Sequence, residues 1–155
     1  MKTKKLTMAS LIATLYVILT LLARLLGIDS GVIQLRFSEA LCILPIFTPS
    51  AIYGLFVGCL LSNILTGAVI WDIIFGSIAT LLGAIGTRML KKNPYLAVIP
   101  PILANTLIIP FVLSFGYGIP GSVAYFMLTV CIGEILSCGV LGLFLYRTVK
   151  KINIF

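Results

Sequence analysis

The feature that most constrains this chain is the length of the stretches that carry no charge. Eleven basic and four acidic residues leave charge-free runs at 6–23, 40–71, 73–87, 93–133 and 135–146. A helix needs about 20 mostly apolar residues to cross the roughly 30 Å hydrocarbon layer of a bilayer. Inside lipid, only helices and closed barrels satisfy all of their backbone hydrogen bonds internally. These runs therefore predict membrane-spanning segments.

Composition excludes a soluble domain and a barrel. Hydrophobic residues make up 61% of the chain and charged residues only 10%, whereas an average soluble domain is about 25% charged. A transmembrane barrel alternates polar and apolar residues over segments of about ten residues, and the runs show no such alternation. The basic residues border the apolar runs, so lipid head groups explain the net charge of +7 better than nucleic acid does. The sequence predicts an all-α integral membrane protein.

The basic residues also predict the topology, because they form three clusters. The clusters are Lys2, Lys4 and Lys5, then Arg88, Lys91 and Lys92, and finally Arg147, Lys150 and Lys151. Such clusters mark the cytoplasmic side, so even numbers of crossings must separate them. A glycine-rich turn at 116–121 gives two helices after the second cluster. Before it, Pro45 and Pro49 divide residues 37–67 into two helices, since proline removes a backbone donor.

Six crossings follow from this count, with both termini in the cytoplasm. We predict a single transmembrane domain over residues 1–155, with helices near 6–26, 38–47, 50–66, 71–89, 95–115 and 120–146. The outer loops are expected near 27–37, 67–71 and 116–120.

Two polar residues fall near the middle of predicted helices. They are Glu134 in the sixth helix and Asn105 in the fifth. An acidic residue at the centre of a membrane helix costs about 2.5–3.5 kcal/mol, so each side chain must face a partner or a cavity. A structural hydrogen bond, or a carboxyl protonated by burial, is the alternative to a functional role. We favour a functional role for Glu134 and leave both interpretations open for Asn105.

Further charged residues gather at the predicted outer helix ends. They are Arg24, Asp29, Arg36, Glu39 and Asp72. Taken alone, they are solvated ion pairs worth at most about 1 kcal/mol each. However, all four acids of the chain lie at or beneath this face, which predicts a polar site that opens outward. Asn63, slightly below the same surface, is a candidate lining residue.

Several residue patterns argue against an enzyme or a metal site. The four cysteines, Cys42, Cys59, Cys131 and Cys138, form no CxxC pair, and the chain has no histidine. We expect them to be small packing residues, with no bound metal or cofactor. Without histidine no Ser-His or Cys-His nucleophile exists, and no GxxxxGK[ST] loop is present to bind ATP. Any ATP hydrolysis must come from partner subunits.

Several segments resemble a known family. They are 34–49 (QLRFSEALCILPIFTP), 54–63 (GLFVGCLLSN) and 72–81 (DIIFGSIATL), together with Asn105 and Gly133-Glu134. These segments are similar to the QueT family, the substrate-binding S components of energy-coupling-factor (ECF) transporters. The resemblance implies a six-helix S component that works with a transmembrane T subunit and two ATP-binding subunits. It also implies a location in a bacterial cytoplasmic membrane, which the chain crosses several times.

The resemblance also implies a partner contact on the first helix. S components carry an AxxxA motif there that contacts the T subunit, and Ala9 and Ala13 match it. Packing within the chain is an equally weighted alternative, because small residues let membrane helices approach closely. For Gly54, Gly58 and Ser62, packing within the chain is the favoured interpretation.

The family is associated with deazaguanine precursors of queuosine, which implies a binding chemistry. A carboxylate can accept both N–H groups of a guanine-like edge, and an aromatic ring can stack on the base. We predict Glu134 for that edge, Asn105 for the ring carbonyl, and Glu39 or Asp72 for an aminomethyl cation. Arg36 and Asn63 are expected to line the site. Tyr125 and Phe37 are candidate stacking residues, whereas interfacial anchoring is the favoured role for Trp71.

Three alternatives to this function stay open. The chain could be an S component for another vitamin-like solute. It could be a self-sufficient transporter that uses Glu134 as its proton site. It could also be a membrane scaffold that binds no solute.

Overall fold

A computed structural model describes residues 2–28 and 35–152 and contains six helices within them, without any strand in those ranges. The helices are α1 (Lys2–Leu25), α2 (Phe37–Ile46), α3 (Ser50–Leu65), α4 (Ile70–Met89), α5 (Pro94–Gly116) and α6 (Val123–Ile152). Helices α1, α4, α5 and α6 are long and apolar enough to cross a membrane. The predicted all-α membrane class is confirmed.

Both long C-terminal helices change their winding. Helix α5 ends in a π-helical turn, Val112–Gly116, and α6 contains a π-helical stretch, Ile135–Leu141, that begins directly after Glu134. Turns of this kind are rare and often mark functional sites. Helix α6 also runs six residues beyond its predicted end at 146. Of the outer loop predicted near 27–37, residues 29–34 lie outside the described part of the chain.

The short helix α2 is wound as a 3₁₀ helix. Ten residues rise about 20 Å in this form, compared with about 15 Å in an α-helix. At its start, Arg36 pairs with Asp72 in the first turn of α4, at 3.7 Å. At its end, Nη1 of Arg88 in the last turn of α4 donates to the carbonyls of Pro45 and Ile46, both at 3.0 Å. The short helix therefore runs alongside most of the length of α4.

Helices α1 and α3 approach closely because α3 presents glycines at their contact. A Cβ added at Gly54 would lie 2.6 Å from the carbonyl oxygen of Ala9. A Cβ added at Gly58 would lie 2.7 Å from Cβ of Tyr16 and 3.0 Å from the carbonyl oxygen of Ala13. Only residues without a side chain fit at such distances, as is common where helices pack in lipid.

Helices α1 and α3 have the same type of C-terminal cap. Gly27 and Gly67 follow these helices with φ of 70° and 68°, which glycine adopts without steric cost. The next amides, of Ile28 and Ala68, reach back to carbonyls five residues earlier at 3.2 and 2.9 Å. This Schellman arrangement satisfies carbonyls that the end of a helix leaves open.

Contacts at the helix ends show that the basic clusters lie at one end of the helix bundle. The end of α1 meets the start of α4, where Arg24 and Asp72 line the same cavity. At the opposite end, Phe47 after α2 stacks on Tyr146 near the end of α6, with ring centroids 5.4 Å apart. The basic clusters border this second end, and the positive-inside rule assigns it to the cytoplasm.

Candidate functional site

A polar cavity of about 400 Å³ lies at the end of the bundle opposite the basic clusters. Its polar lining includes Arg24, Arg36, Asn63, Asp72 and Tyr117. The helix ends of α1, α3 and α4, the residue before α2 and the turn after α5 supply these side chains. Of the residues predicted to form an outward-opening site, four line this cavity: Arg24, Arg36, Asn63 and Asp72.

Asp72 organises this outer cavity although its side chain is only 6% exposed. Its Oδ2 accepts a hydrogen bond of 3.0 Å from the Tyr117 hydroxyl and lies 3.7 Å from Nη2 of Arg36. Its backbone carbonyl accepts from Nδ2 of Asn63 at 3.1 Å. Its Oδ1 is buried and has no hydrogen-bond partner among the residues that the structure describes. A buried acceptor of this kind is available to a ligand that donates a hydrogen bond.

The Asp72 carboxylate also influences the pKa values of its neighbours Arg36 and Tyr117. Burial alone lowers the pKa of Arg36, but several neighbouring groups, with the Asp72 carboxylate first among them, together more than offset this, and the pKa is raised. Burial raises the pKa of Tyr117 above its usual value, and Asp72 raises it further. Arg36 therefore stays charged, and Tyr117 stays a hydrogen-bond donor at neutral pH.

Below the outer cavity lies a much smaller one of about 20 Å³, lined by Asn105, Glu134, Arg36, Ile109 and Val130. Arg36 and Ile109 also line the outer cavity, so they form the wall between the two. Asn105 and Glu134 are 3% and 9% exposed. Asn105 approaches Glu134, although its Nδ2 meets no acceptor at good hydrogen-bonding geometry within 2–28 and 35–152.

Glu39, a predicted partner for an aminomethyl cation, is directed elsewhere. Its Oε1 accepts a short hydrogen bond from the hydroxyl of Tyr16, and its Oε2 lies 3.1 Å from Sγ of Cys42. One turn apart on α6, Sγ of Cys138 lies 3.2 Å from Oε2 of Glu134. Glu39 is not among the residues that line the two polar cavities. Of the two acids predicted for the cation, Asp72 is therefore the better placed.

The candidate aromatic residues take different positions from those predicted. Neither Phe37 nor Tyr125 is among the residues lining the polar cavities. Tyr125 is half exposed and meets Phe126 edge to face, with centroids 5.9 Å apart. Tyr117 is the aromatic residue in the outer cavity, although its glycine-rich segment was predicted only as a turn. Its position in a predicted outer loop was the signal that the sequence offered.

A second large cavity, of about 470 Å³, is apolar and distinct from this site. Its lining includes Trp71, Phe75, Phe111, Phe115 and Leu107. The rings of Trp71 and Phe75 stack with centroids 6.0 Å apart. This aromatic surface fits the predicted anchoring role of Trp71 at the membrane interface.

The two alanines proposed to contact a partner lie at the contact between α1 and α3. Ala13 is 7% exposed, and Ala9 is partly buried. Their carbonyl oxygens face Gly58 and Gly54. Packing within the chain therefore accounts for the small size of these residues, and contact with a T subunit stays a prediction.

The fold and the cavities together define a multi-pass helical membrane protein with a polar cavity near one surface. The model of the QueT transporter family matches residues 6–151, and the chain belongs to this family. Its family and its four long apolar helices confirm the predicted multi-pass membrane location in a bacterial source.

A relative and the solved structures complete the comparison. The queuosine precursor transporter QueT of Lactococcus lactis subsp. cremoris (strain MG1363) is 37% identical over 81 residues. That alignment covers 52% of this chain and 47% of the relative, so the chain spans about half the length of the relative it matches. No solved structure matches this chain.

Proposed function

We propose that this chain is the substrate-binding S component of an ECF transporter that takes up a queuosine precursor. Membership of the QueT transporter family and the name of the Lactococcus lactis relative support this class of substrate. The observation that carries the proposal is the polar cavity of about 400 Å³, whose Arg36 wall also encloses Asn105 and Glu134. Its volume is at the lower end of the range for small-molecule sites.

The base is proposed to enter from the outer cavity and to bind Glu134 after Arg36 moves aside. The Glu134 carboxylate then accepts the two adjacent N–H groups of the deazaguanine edge. Asn105 donates to the ring carbonyl from the same small cavity. Asp72, whose Oδ1 is unused within the described residues, accepts from the aminomethyl cation. Tyr117 contributes the aromatic surface beside the ring.

Energy is proposed to come from outside the chain. The sequence contains no loop of the type that binds ATP phosphates. Uptake therefore depends on a T subunit and two ATP-binding subunits, and capture of the base needs neither. We expect Ala9 and Ala13 to influence the T-subunit contact through the position of α1.

The first test is ligand binding by the purified chain alone. Isothermal titration calorimetry should show sub-micromolar binding of 7-aminomethyl-7-deazaguanine or queuine, and thermal shift should show stabilisation by mass action. Adenine and a panel of vitamins serve as controls. Stabilisation by a vitamin, without any response to a deazaguanine, would assign the chain to a different S-component specificity. No saturable ligand at all would favour a scaffold.

The second test addresses the energy source. Liposomes that contain this chain together with T and ATP-binding subunits should accumulate labelled base only when ATP is supplied. Liposomes with this chain alone should bind the base without accumulating it. Accumulation driven by a proton gradient in the second preparation would contradict ATP coupling and favour a stand-alone transporter.

A further inference from the structure

Two cysteines and a glutamate converge in the interior of the bundle, beside the polar site. Sγ of Cys42, Sγ of Cys138 and a carboxylate oxygen of Glu39 all lie within 4.8 Å of one another. Cys42 and Glu39 come from α2, and Cys138 comes from the π-helical stretch of α6. All three residues are at most 2% exposed. Ninety-six positions of sequence separate the two thiols, so no spacing motif connects them.

The spacing of these atoms suits a tetrahedral metal ion. Zinc bonds of about 2.3 Å to sulfur and 2.0–2.2 Å to oxygen place neighbouring ligand atoms roughly 3.6 Å apart. The observed distance from Cys42 Sγ to Glu39 Oε2 is 3.1 Å. An ion among the three atoms therefore requires adjustments of about half an ångström. Glu134, with Oε2 at 3.2 Å from Cys138 Sγ, is a further oxygen donor beside the group.

Surrounding groups hold these ligands in place, as outer-shell partners do in metal sites. The hydroxyl of Tyr16 donates to Oε1 of Glu39, which leaves Oε2 directed at the thiols. Tyr16 is itself fully buried against Gly58 at the α1–α3 contact. A carboxylate fixed by one hydrogen bond and facing two thiols is an arrangement that a simple packing role for the cysteines does not require.

We infer that Glu39, Cys42 and Cys138 form a binding site for a thiophilic divalent cation such as Zn²⁺, with Glu134 on the side of the fourth ligand. Thiolates select zinc over magnesium or calcium. Binding releases the two thiol protons, and the two thiolates then neutralise the ion. The Glu39 carboxylate leaves one excess negative charge, which interacts with the nearby Arg36. The ion joins α2 to α6 at the floor of the polar site, and this role is independent of which solute the chain carries.

The test uses the full-length protein in detergent, purified with reductant and freed of metal by a chelator. Titration with Co²⁺ should give one equivalent with visible bands typical of tetrahedral coordination and a thiolate charge-transfer band. Zn²⁺ should displace it and raise the melting temperature. The single variants Cys42→Ser and Cys138→Ser should each lower the intensity of the charge-transfer band by at least half. The single variants Cys59→Ser and Cys131→Ser should leave the band unchanged. Tyr16→Phe should weaken binding about 10- to 100-fold.

Several outcomes would overturn the site. Wild-type protein that binds no Co²⁺ or Zn²⁺, with four reactive thiols after denaturation, would show that the cysteines only donate hydrogen bonds. A Cys42–Cys138 disulfide that forms in air and persists in excess Zn²⁺ would assign the pair to redox chemistry. Co²⁺ spectra that are equal in wild type and in the Cys42→Ser, Cys138→Ser double variant would place the metal elsewhere. If the serine variants do not fold, Glu39→Gln should still weaken metal binding in a folded protein.

Discussion

The outer cavity and the inner cluster are both polar, but they differ in room and in solvation. The outer cavity measures about 400 Å³, and its Arg36 side chain is 24% exposed. The inner cavity beside Glu134 measures about 20 Å³. Its neighbours Glu39 and Cys42 are almost completely buried. One region has space and a partly exposed charge. The other has closely packed groups and a cavity with room for about one water molecule.

This difference predicts a division of labour. Charges near a surface attract and orient a ligand but add little affinity, because water screens them. Hydrogen bonds to a desolvated carboxylate are stronger and depend on geometry. We therefore expect the outer residues to select and admit the solute and the inner residues to supply most of the binding free energy. The predictions below test this division, from the largest effect to the smallest.

The inner carboxylate should have the largest effect. In Glu134→Gln the amide cannot accept both N–H groups of the base, and a hydrogen bond to a charged group is worth about 1.5–3 kcal/mol, or roughly 10- to 150-fold in affinity. Calorimetry on the purified variant measures this loss. Cys131→Ser is the control, since Cys131 lies three residues before Glu134 on α6 and is not among the residues that line the two polar cavities. Equal losses of affinity in both variants would show that Glu134 has no special role in binding the base.

A packing change should disturb the inner cluster and spare the outer cavity. The added Cβ of Gly58→Ala would lie 2.7 Å from Cβ of Tyr16, which holds Glu39. Overpacking of this kind costs about 1–3 kcal/mol, so the melting temperature in detergent should fall. In Gly139→Ala the new Cβ meets nothing closer than 3.9 Å, and stability should be unchanged or slightly higher. A Gly58→Ala protein as stable as wild type would contradict the close α1–α3 contact.

Asp72→Asn should separate recognition of the aminomethyl cation from recognition of the rest of the base. It removes the partner of Arg36 and the proposed acceptor for the aminomethyl cation. We expect about 1–2 kcal/mol weaker binding of 7-aminomethyl-7-deazaguanine, or roughly 5- to 30-fold, since a hydrogen bond to a charged group is lost. A neutral 7-cyano analogue should bind the variant and the wild type alike. Equal weakening for both bases would show that Asp72 acts on the fold and not on the cation.

The smallest effect is expected at the edge of the outer cavity. Tyr117→Phe keeps the ring and removes the 3.0 Å hydrogen bond to Asp72, which is worth about 0.5–1.5 kcal/mol. Affinity for the aminomethyl base should fall by no more than about tenfold. Tyr125→Phe, at a half-exposed ring outside both polar cavities, is the control and should bind normally. A larger loss in the control than in Tyr117→Phe would show that the Tyr125 hydroxyl contacts the base and would contradict its position outside both polar cavities.

Much of the outer site was predictable from the chain because its members lie at helix ends. The positions of Arg36 and Asp72 next to apolar runs place both at the same predicted surface, and the structure joins them at 3.7 Å. Tyr117 was not predicted, because a glycine-rich turn gives no sign of which way its side chain points. Glu39 was predicted to face the solute, yet its oxygens meet Tyr16 and Cys42. The rotation of a short helix decides this, and sequence does not report it.

By itself, the sequence determined the class of this protein, its six helices and the end that carries the basic clusters. Hydropathy and charge act locally and add up along the chain, so a run of apolar residues or a group of lysines keeps its meaning in any tertiary arrangement. Only the tertiary structure decided that α2 winds as a 3₁₀ helix and runs alongside α4. It also decided that Cys42 meets Cys138. Both depend on how helices pack and rotate against each other, and residues distant in the chain settle that jointly.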